Sequence, residues 1–134
     1  MAHWLMKSEP GSYGWDDLVR EGGTEWDGVR NNAARLHLKA MKVGDEAFFY
    51  HSMEERAVVG IMRIARSARP DPKDGDWVSV AVEPVRAIGP VALKTIKADP
   101  RLAGMELIRQ SRLSVAPVRD EEWAAIIELA GASR

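Results

Sequence analysis

The chain has 134 residues, 46% apolar and 29% charged, with a formal net charge of −1, which fits a single domain over residues 1–134 with a core of its own. Near-neutrality (pI about 6.3) argues against strong, non-specific duplex binding, which rests on neutralising many phosphates. The lack of cysteine excludes disulfides, thiol catalysis and cysteine-ligated zinc, and no apolar run approaches the ~20 residues of a membrane span. Met1-Ala2-His3-Trp4-Leu5-Met6-Lys7 lacks the long apolar stretch of a secretory signal. A cytoplasmic protein, monomeric and without a membrane partner, is therefore expected.

In chain order, residues 3–8 predict a strand with Trp4 and Met6 on one side and Leu5 and Lys7 on the other. Pro10-Gly11 ends it. A short helix follows over 13–20, with Ser12 as its N-cap, acidic residues in its first turns and Gly22-Gly23 as its stop. The segment around Trp26 reads as a loop. A second helix spans 31–41, with Val29, Ala33, Leu36, Ala40 and Met41 as its apolar stripe. Strands follow over 46–51 and 57–64, where Gly60 signals a bulge or a close backbone approach. Residues 69–76, rich in Pro and Asp, read as a solvated loop, and 77–88 as a Val-rich strand. Short helical turns fill 91–104. A last strand covers 107–115, and Asp120 caps a final helix over 121–130. Three consecutive strands without intervening helices argue against an alternating βαβ fold. They favour an α+β domain, a curled mixed sheet or pseudo-barrel with flanking helices.

The chain holds five tryptophans against two tyrosines and two phenylalanines. Trp15 and Trp26 sit among Gly and Asp, surroundings that make poor packing material but leave an indole face for a flat ligand; a stacked nucleobase contributes roughly 1–3 kcal/mol. Trp4, Trp77 and Trp123 read as core. Around the exposed-looking pair the sequence sets Lys7-Ser8 at a strand end, Arg30-Asn31 at a helix start, Tyr50-His51-Ser52 at a second strand end, and Arg112-Leu113-Ser114 late in the chain. Asn31, His51, Ser8 and Ser52 both donate and accept hydrogen bonds, the inventory that reads a base edge. Asn31 would equally serve as a helix cap and His51 as the partner of a buried carbonyl. The clusters Lys94, Lys97, Arg101 and Arg63, Arg66, Arg69 read as solvated faces. No metal-ligand spacing, nucleophile elbow or phosphate-binding glycine loop is present, so neither metal nor cofactor is expected.

Trp4-Leu5-Met6-Lys7-Ser8-Glu9-Pro10, Trp26-Asp27-Gly28-Val29-Arg30-Asn31, Gly44-Asp45 leading to Phe49-Tyr50-His51-Ser52, and Ser111-Arg112-Leu113-Ser114-Val115 together resemble the EVE domain, more narrowly its thymocyte nuclear protein 1 branch and small bacterial relatives. The resemblance runs from Trp4 to about Ala130. It implies a PUA-like fold akin to the YTH domain, whose Lys-Ser pair and first cage tryptophan look like Lys7-Ser8 and Trp26. It also implies a non-catalytic reader of modified bases, chiefly 5-methylcytosine and 5-hydroxymethylcytosine in DNA, with RNA also considered. Asn32 and Met53 depart from the family pattern and bear on base preference.

The expected mechanism is base flipping. A base leaves its stack at a few kcal/mol and lies on Trp26, with Trp15 or Tyr50 as a second wall. Asn31, His51, Ser52 and Ser8 read its edge. Lys7, Arg30 and Arg112 hold phosphates. Val29 and Leu113 meet a methyl group, whose burial is worth only about 0.8 kcal/mol, so discrimination is on the order of tenfold. The predicted base-binding set is therefore Lys7, Ser8, Trp15, Trp26, Val29, Arg30, Asn31, Tyr50, His51, Ser52, Arg112, Leu113 and Ser114, and Trp26→Ala is expected to cause a large loss of base binding with the fold retained. The competing readings are RNA binding, a nucleic-acid-processing enzyme using His51, and a module that takes a peptide or small molecule.

Overall fold

The computed structural model describes residues 2–53 and 55–132. The strands are β1 (His3–Ser8), β2 (Thr24–Trp26), β3 (Glu46–His51), β4 (Ala57–Asp71), β5 (Asp74–Ala92) and β6 (Val115–Val118). The helices are α1 (Trp15–Glu21), α2 (Asn32–Ala40), α3 (Leu93–Ala98), α4 (Glu106–Arg109) and α5 (Asp120–Ala132), with a 3-10 turn at Pro100–Leu102. The strands form one mixed sheet in the order β2-β5-β4-β3-β1-β6. β1 runs parallel to β3, and the other pairs are antiparallel. β2 and β6 are its edges, so the sheet curls without closing.

Period-2 alternation sends neighbouring side chains to opposite faces. Trp4 and Met6 join Phe49, Leu18 of α1 and Leu38 of α2 in one core. Leu5, Phe48 and Tyr50 join Ile96 of α3, Leu107 of α4 and Ile126 of α5 in the other. Trp4 closes its half with a polar tip: its indole N–H donates to Asp45 Oδ2 at 3.0 Å, and the same oxygen accepts the Lys42 N–H at 3.0 Å. Trp123 stacks on Phe48 with centroids 3.8 Å apart.

Several sequence expectations shift. β2 is a strand, not a loop, because Thr24, Glu25 and Trp26 pair with Val82, Ala81 and Val80. Residues 69–76 are not a loose loop; β4 and β5 remain paired out to Asp71 and Asp74, with a register shift beside Pro70 and Pro72 in the tight turn between the strands. The last strand is β6, and residues 106–109 are helical instead. Ser12 does not cap α1. Gly14 precedes that helix, and Asp17 Oδ2 accepts the Gly14 N–H at 2.8 Å. At α5 the capping contact comes from Glu122, which accepts the Arg119 N–H at 2.9 Å, while the Asp120 carboxylate meets His3.

Candidate nucleic-acid interface

The segment from Trp26 to Asn31 links an edge strand to α2, and a buried carboxylate holds it. Asp71 is 3% exposed. Its Oδ2 accepts the Gly28 N–H at 2.9 Å and Arg30 Nη1 at 3.0 Å, and its Oδ1 accepts the Lys73 N–H at 2.7 Å. Burial alone would raise this carboxyl; the two backbone donors and the guanidinium outweigh it and hold the pKa at about 2. Gly28 has φ +76°, which a side chain would strain, so the loop turns tightly enough to aim its N–H at Asp71. Asn31 then caps α2, its Oδ1 accepting the Ala34 N–H at 2.9 Å.

Beside this loop lies an open cavity of about 690 Å³, within the range of small-ligand sites. Lys7 and Ser8 of β1 and Ser114 before β6 border it on one side, and Thr24, Glu25 and Trp26 of β2 on the other. These come from opposite ends of the strand order, so the curl of the sheet brings its two edges to one hollow. Asp27, Val29, Arg30 and Lys73 also border it, as do Glu9, Ser12 and Tyr13 of the segment between β1 and α1. Trp26 is 8% exposed, and Phe49 meets it at 84° with centroids 5.5 Å apart. It is therefore a core residue that also borders the cavity, and truncation to Ala would cost roughly 3–5 kcal/mol of stability. This revises the expectation that the fold tolerates Trp26→Ala.

The polar rim mixes signs. Glu25 is held ionised at about pKa 2, first by hydrogen bonds from Arg66 and, against the cost of burial, by Ser79 and the nearby arginines. Tyr13 also borders the cavity and donates its hydroxyl to Glu21 at 2.7 Å. Burial, reinforced by Glu21, pushes its pKa up to about 12. Ser8 donates to the Tyr13 carbonyl at 2.6 Å, leaving its lone pairs to accept. Lys7 donates its ammonium to the Ser111 carbonyl at 2.7 Å, and burial pulls its pKa down.

Of the predicted residues, Lys7, Ser8, Trp26, Val29, Arg30 and Ser114 border the cavity. Asn31, Arg112 and Leu113 line a separate shallow cleft with Arg109, Gln110 and Ser111. The others stand elsewhere for clear reasons. Trp15 is 8% exposed and lies flat against Gly60, where a Cβ would come within 2.5 Å of its ring. The exposed-looking Trp15 of the sequence is thus packed in the core. Tyr50 follows Phe49 on β3 and so points into the opposite core. His51 Nε2 accepts the Trp15 N–H at 3.1 Å, which leaves Nδ1 to donate to Glu55 Oε1 at 2.6 Å. Ser52 gives its backbone N–H to the Ser8 carbonyl. Asn32 and Met53 are exposed, Met53 with φ +72°. Neither borders the cavity. Lys73, Thr24 and Glu25 on the rim, and Asp71 behind it, were missed because their segments read as loop; only the ladder of β4 with β5 and β2 brings them together. Among the described residues no cluster of three metal-ligating side chains occurs, and no helix is long and apolar enough to cross a membrane.

A curled, unclosed mixed sheet with helices on both faces, whose two edges meet at a tryptophan-bordered cavity, defines a PUA-like α+β domain. The chain belongs to the EVE domain family, which matches residues 2–129. It is 36% identical to human thymocyte nuclear protein 1 over a 165-residue alignment covering 96% of this chain and 73% of that protein. The NMR structure of Rpa0253 from Rhodopseudomonas palustris superposes with a TM-score of 0.94 at 47% identity, covering 100% of this chain and 96% of that one. The crystal structure of human THYN1 in complex with 5-methylcytosine-containing DNA superposes with a TM-score of 0.88 at 34% identity, covering 97% and 98%.

Proposed function

We propose that this domain is a nucleic-acid reader, without catalysis, that takes a modified base of the 5-methylcytosine and 5-hydroxymethylcytosine class into the cavity beside Trp26. The observation that carries this is the likeness along 97% of the chain to a human protein crystallised with 5-methylcytosine DNA, together with a cavity at the position the family motifs marked. The rim chemistry suits cytosine. Its N4 amino group donates, and carboxylates are the natural acceptors for it; Asp27 and Glu9 border the cavity. Its N3 and O2 accept, and Ser114, Ser12 and Arg30 offer donors there. Val29, 7% exposed, supplies an apolar surface for a methyl group.

His51 supports a reader over an enzyme. Both of its ring nitrogens serve α1 and Glu55, and it stands away from the cavity rim. The test is titration with 2′-deoxycytidine, 5-methyl-2′-deoxycytidine and 5-hydroxymethyl-2′-deoxycytidine, followed by tryptophan fluorescence. A marked nucleoside should bind more tightly than the bare one, by a factor of about 4 for a methyl burying ~0.8 kcal/mol. Trp26→Phe, which keeps an aromatic core residue, should weaken binding severalfold at an intact melt. Silence from all three nucleosides, or an unchanged affinity in that variant, refutes the function.

A further inference from the structure

Trp77 opens the buried part of β5, and its sequence reads as core. The structure leaves it half-buried and outside both apolar cores. Two guanidinium groups lie over its ring instead: Arg35 Cζ at 5.3 Å and Arg30 Cζ at 5.7 Å from the centroid, inside the reach of cation–π attraction. Arg30 also borders the cavity and is fixed by Asp71. Arg35 is fixed through Nη1, which donates to the Asp76 carbonyl at 3.2 Å. Its Nε is buried with no acceptor among the described residues, a cost of about 1–3 kcal/mol that the stacked geometry offsets. One side chain, Arg30, therefore belongs both to the cavity wall and to this aromatic–guanidinium stack.

Resting on the base-reading function proposed above, we infer that Trp77 with Arg30 and Arg35 forms a second platform, which stacks the base adjacent to the one in the cavity. Indole rings and guanidinium planes both stack on bases irrespective of sequence. Asp71 neutralises Arg30, and Asp27 lies 3.5 Å from Lys73; Arg35 has no carboxylate partner among the described residues, but its guanidinium lies over the indole with Nη1 on the Asp76 carbonyl. A planar partner is what an indole joined to guanidinium planes recognises, and Arg30 ties that pair to the cavity wall.

The experiment compares free 5-methyl-2′-deoxycytidine with a single-stranded trinucleotide carrying 5-methylcytosine at its centre. Trp77→Leu keeps an apolar side chain and removes the π face. It should weaken trinucleotide binding about fivefold or more, the low end for one stacked base, and leave nucleoside binding unchanged. In the unaltered protein the Trp77 indole N–H resonance should shift with the trinucleotide and stay in place with the nucleoside, a readout that does not depend on how the variant folds. Equal weakening of both ligands, unchanged trinucleotide affinity in a folded variant, or a Trp77 resonance indifferent to the trinucleotide overturns the platform while nucleoside binding still upholds the reader. If the unaltered protein binds neither ligand, the reader and the platform fall together.

Discussion

Asp71→Ala should unseat the segment that shapes the cavity. The side chain is buried and accepts from Gly28, Lys73 and Arg30. Its removal leaves two backbone donors without their acceptor and frees a guanidinium that is already 35% exposed; losing the two charge-assisted backbone bonds costs about 3 kcal/mol. For a domain of this size that corresponds to a fall in melting temperature of roughly 10 °C. Nucleoside affinity should fall as well, because Val29 and Arg30 ride on the released loop. The pH dependence offers an independent check. The folded-state pKa of Asp71, about 2, lies below its usual 3.8, so its stabilisation is complete above the unfolded-state value and drains away as pH falls through the folded one. The gap in stability between the natural protein and Asp71→Ala should therefore be widest near neutrality and shrink between about pH 4 and pH 2. Urea unfolding across that range measures it. A variant that melts within a degree or two of the natural protein, or a gap that stays constant down to pH 2, refutes the anchoring role.

Gly60→Ala would place a methyl group 2.5 Å from the Trp15 ring; a loss of about 1–3 kcal/mol in thermal unfolding is expected, and an unchanged melt would show that Trp15 has room to move. His51→Ala removes the acceptor of the Trp15 N–H and should cost on the order of 1 kcal/mol with nucleoside affinity per folded molecule intact, whereas abolished affinity at an unchanged melt would restore His51 to the site. Of the three cations predicted to hold phosphates, Asp71 neutralises Arg30, while Lys7 on the cavity rim and Arg112 in the separate cleft have no carboxylate partner among the described residues. Two neutralised phosphates give a slope of about −1.4 for log affinity against log salt on a single strand, and a slope steeper than −4 would show that phosphates dominate binding.

The strands β1 and β3 were legible because Trp4, Leu5, Met6 and Phe48, Phe49, Tyr50 are apolar on both faces, a pattern that exposed elements do not show. The start of α2 was legible because Asn31 caps it through its own neighbours. What failed depended on distant partners. Trp15 looks exposed beside Gly14 and Asp16, yet its burial is decided by a missing Cβ at Gly60. Asp71 sits in a Pro-Asp-Pro-Lys stretch whose composition reads as solvated, and only pairing with β5 buries it. Trp77 misled in the other direction, because the Val-rich strand after it suggests core, whereas the first buried residue of β5 is Ser79. The cavity set was half legible for the same reason. Motif residues at strand ends could be grouped, but which of them share one hollow is settled by the curl of the sheet.

That curl also determines how selectivity arises. A closed barrel would satisfy β2 and β6 against each other and leave no gap; here Ser8 and Ser114 on one edge face Trp26 on the other across open space. The rim is then built from two edges that are held independently, one by the β1 and β6 pairing and one by Asp71, Glu25 and their arginines. Because those arginines are consumed by internal carboxylates, the site offers a ligand few free charges. Binding energy must come from stacking and from edge hydrogen bonds. The edge hydrogen bonds depend on the identity of the base, whereas stacking accepts any base and phosphate contacts would reward any strand equally. Under the proposed function, the near-neutral surface would hold the sequence-independent background low, so that a mark worth less than 1 kcal/mol by burial would still register in binding.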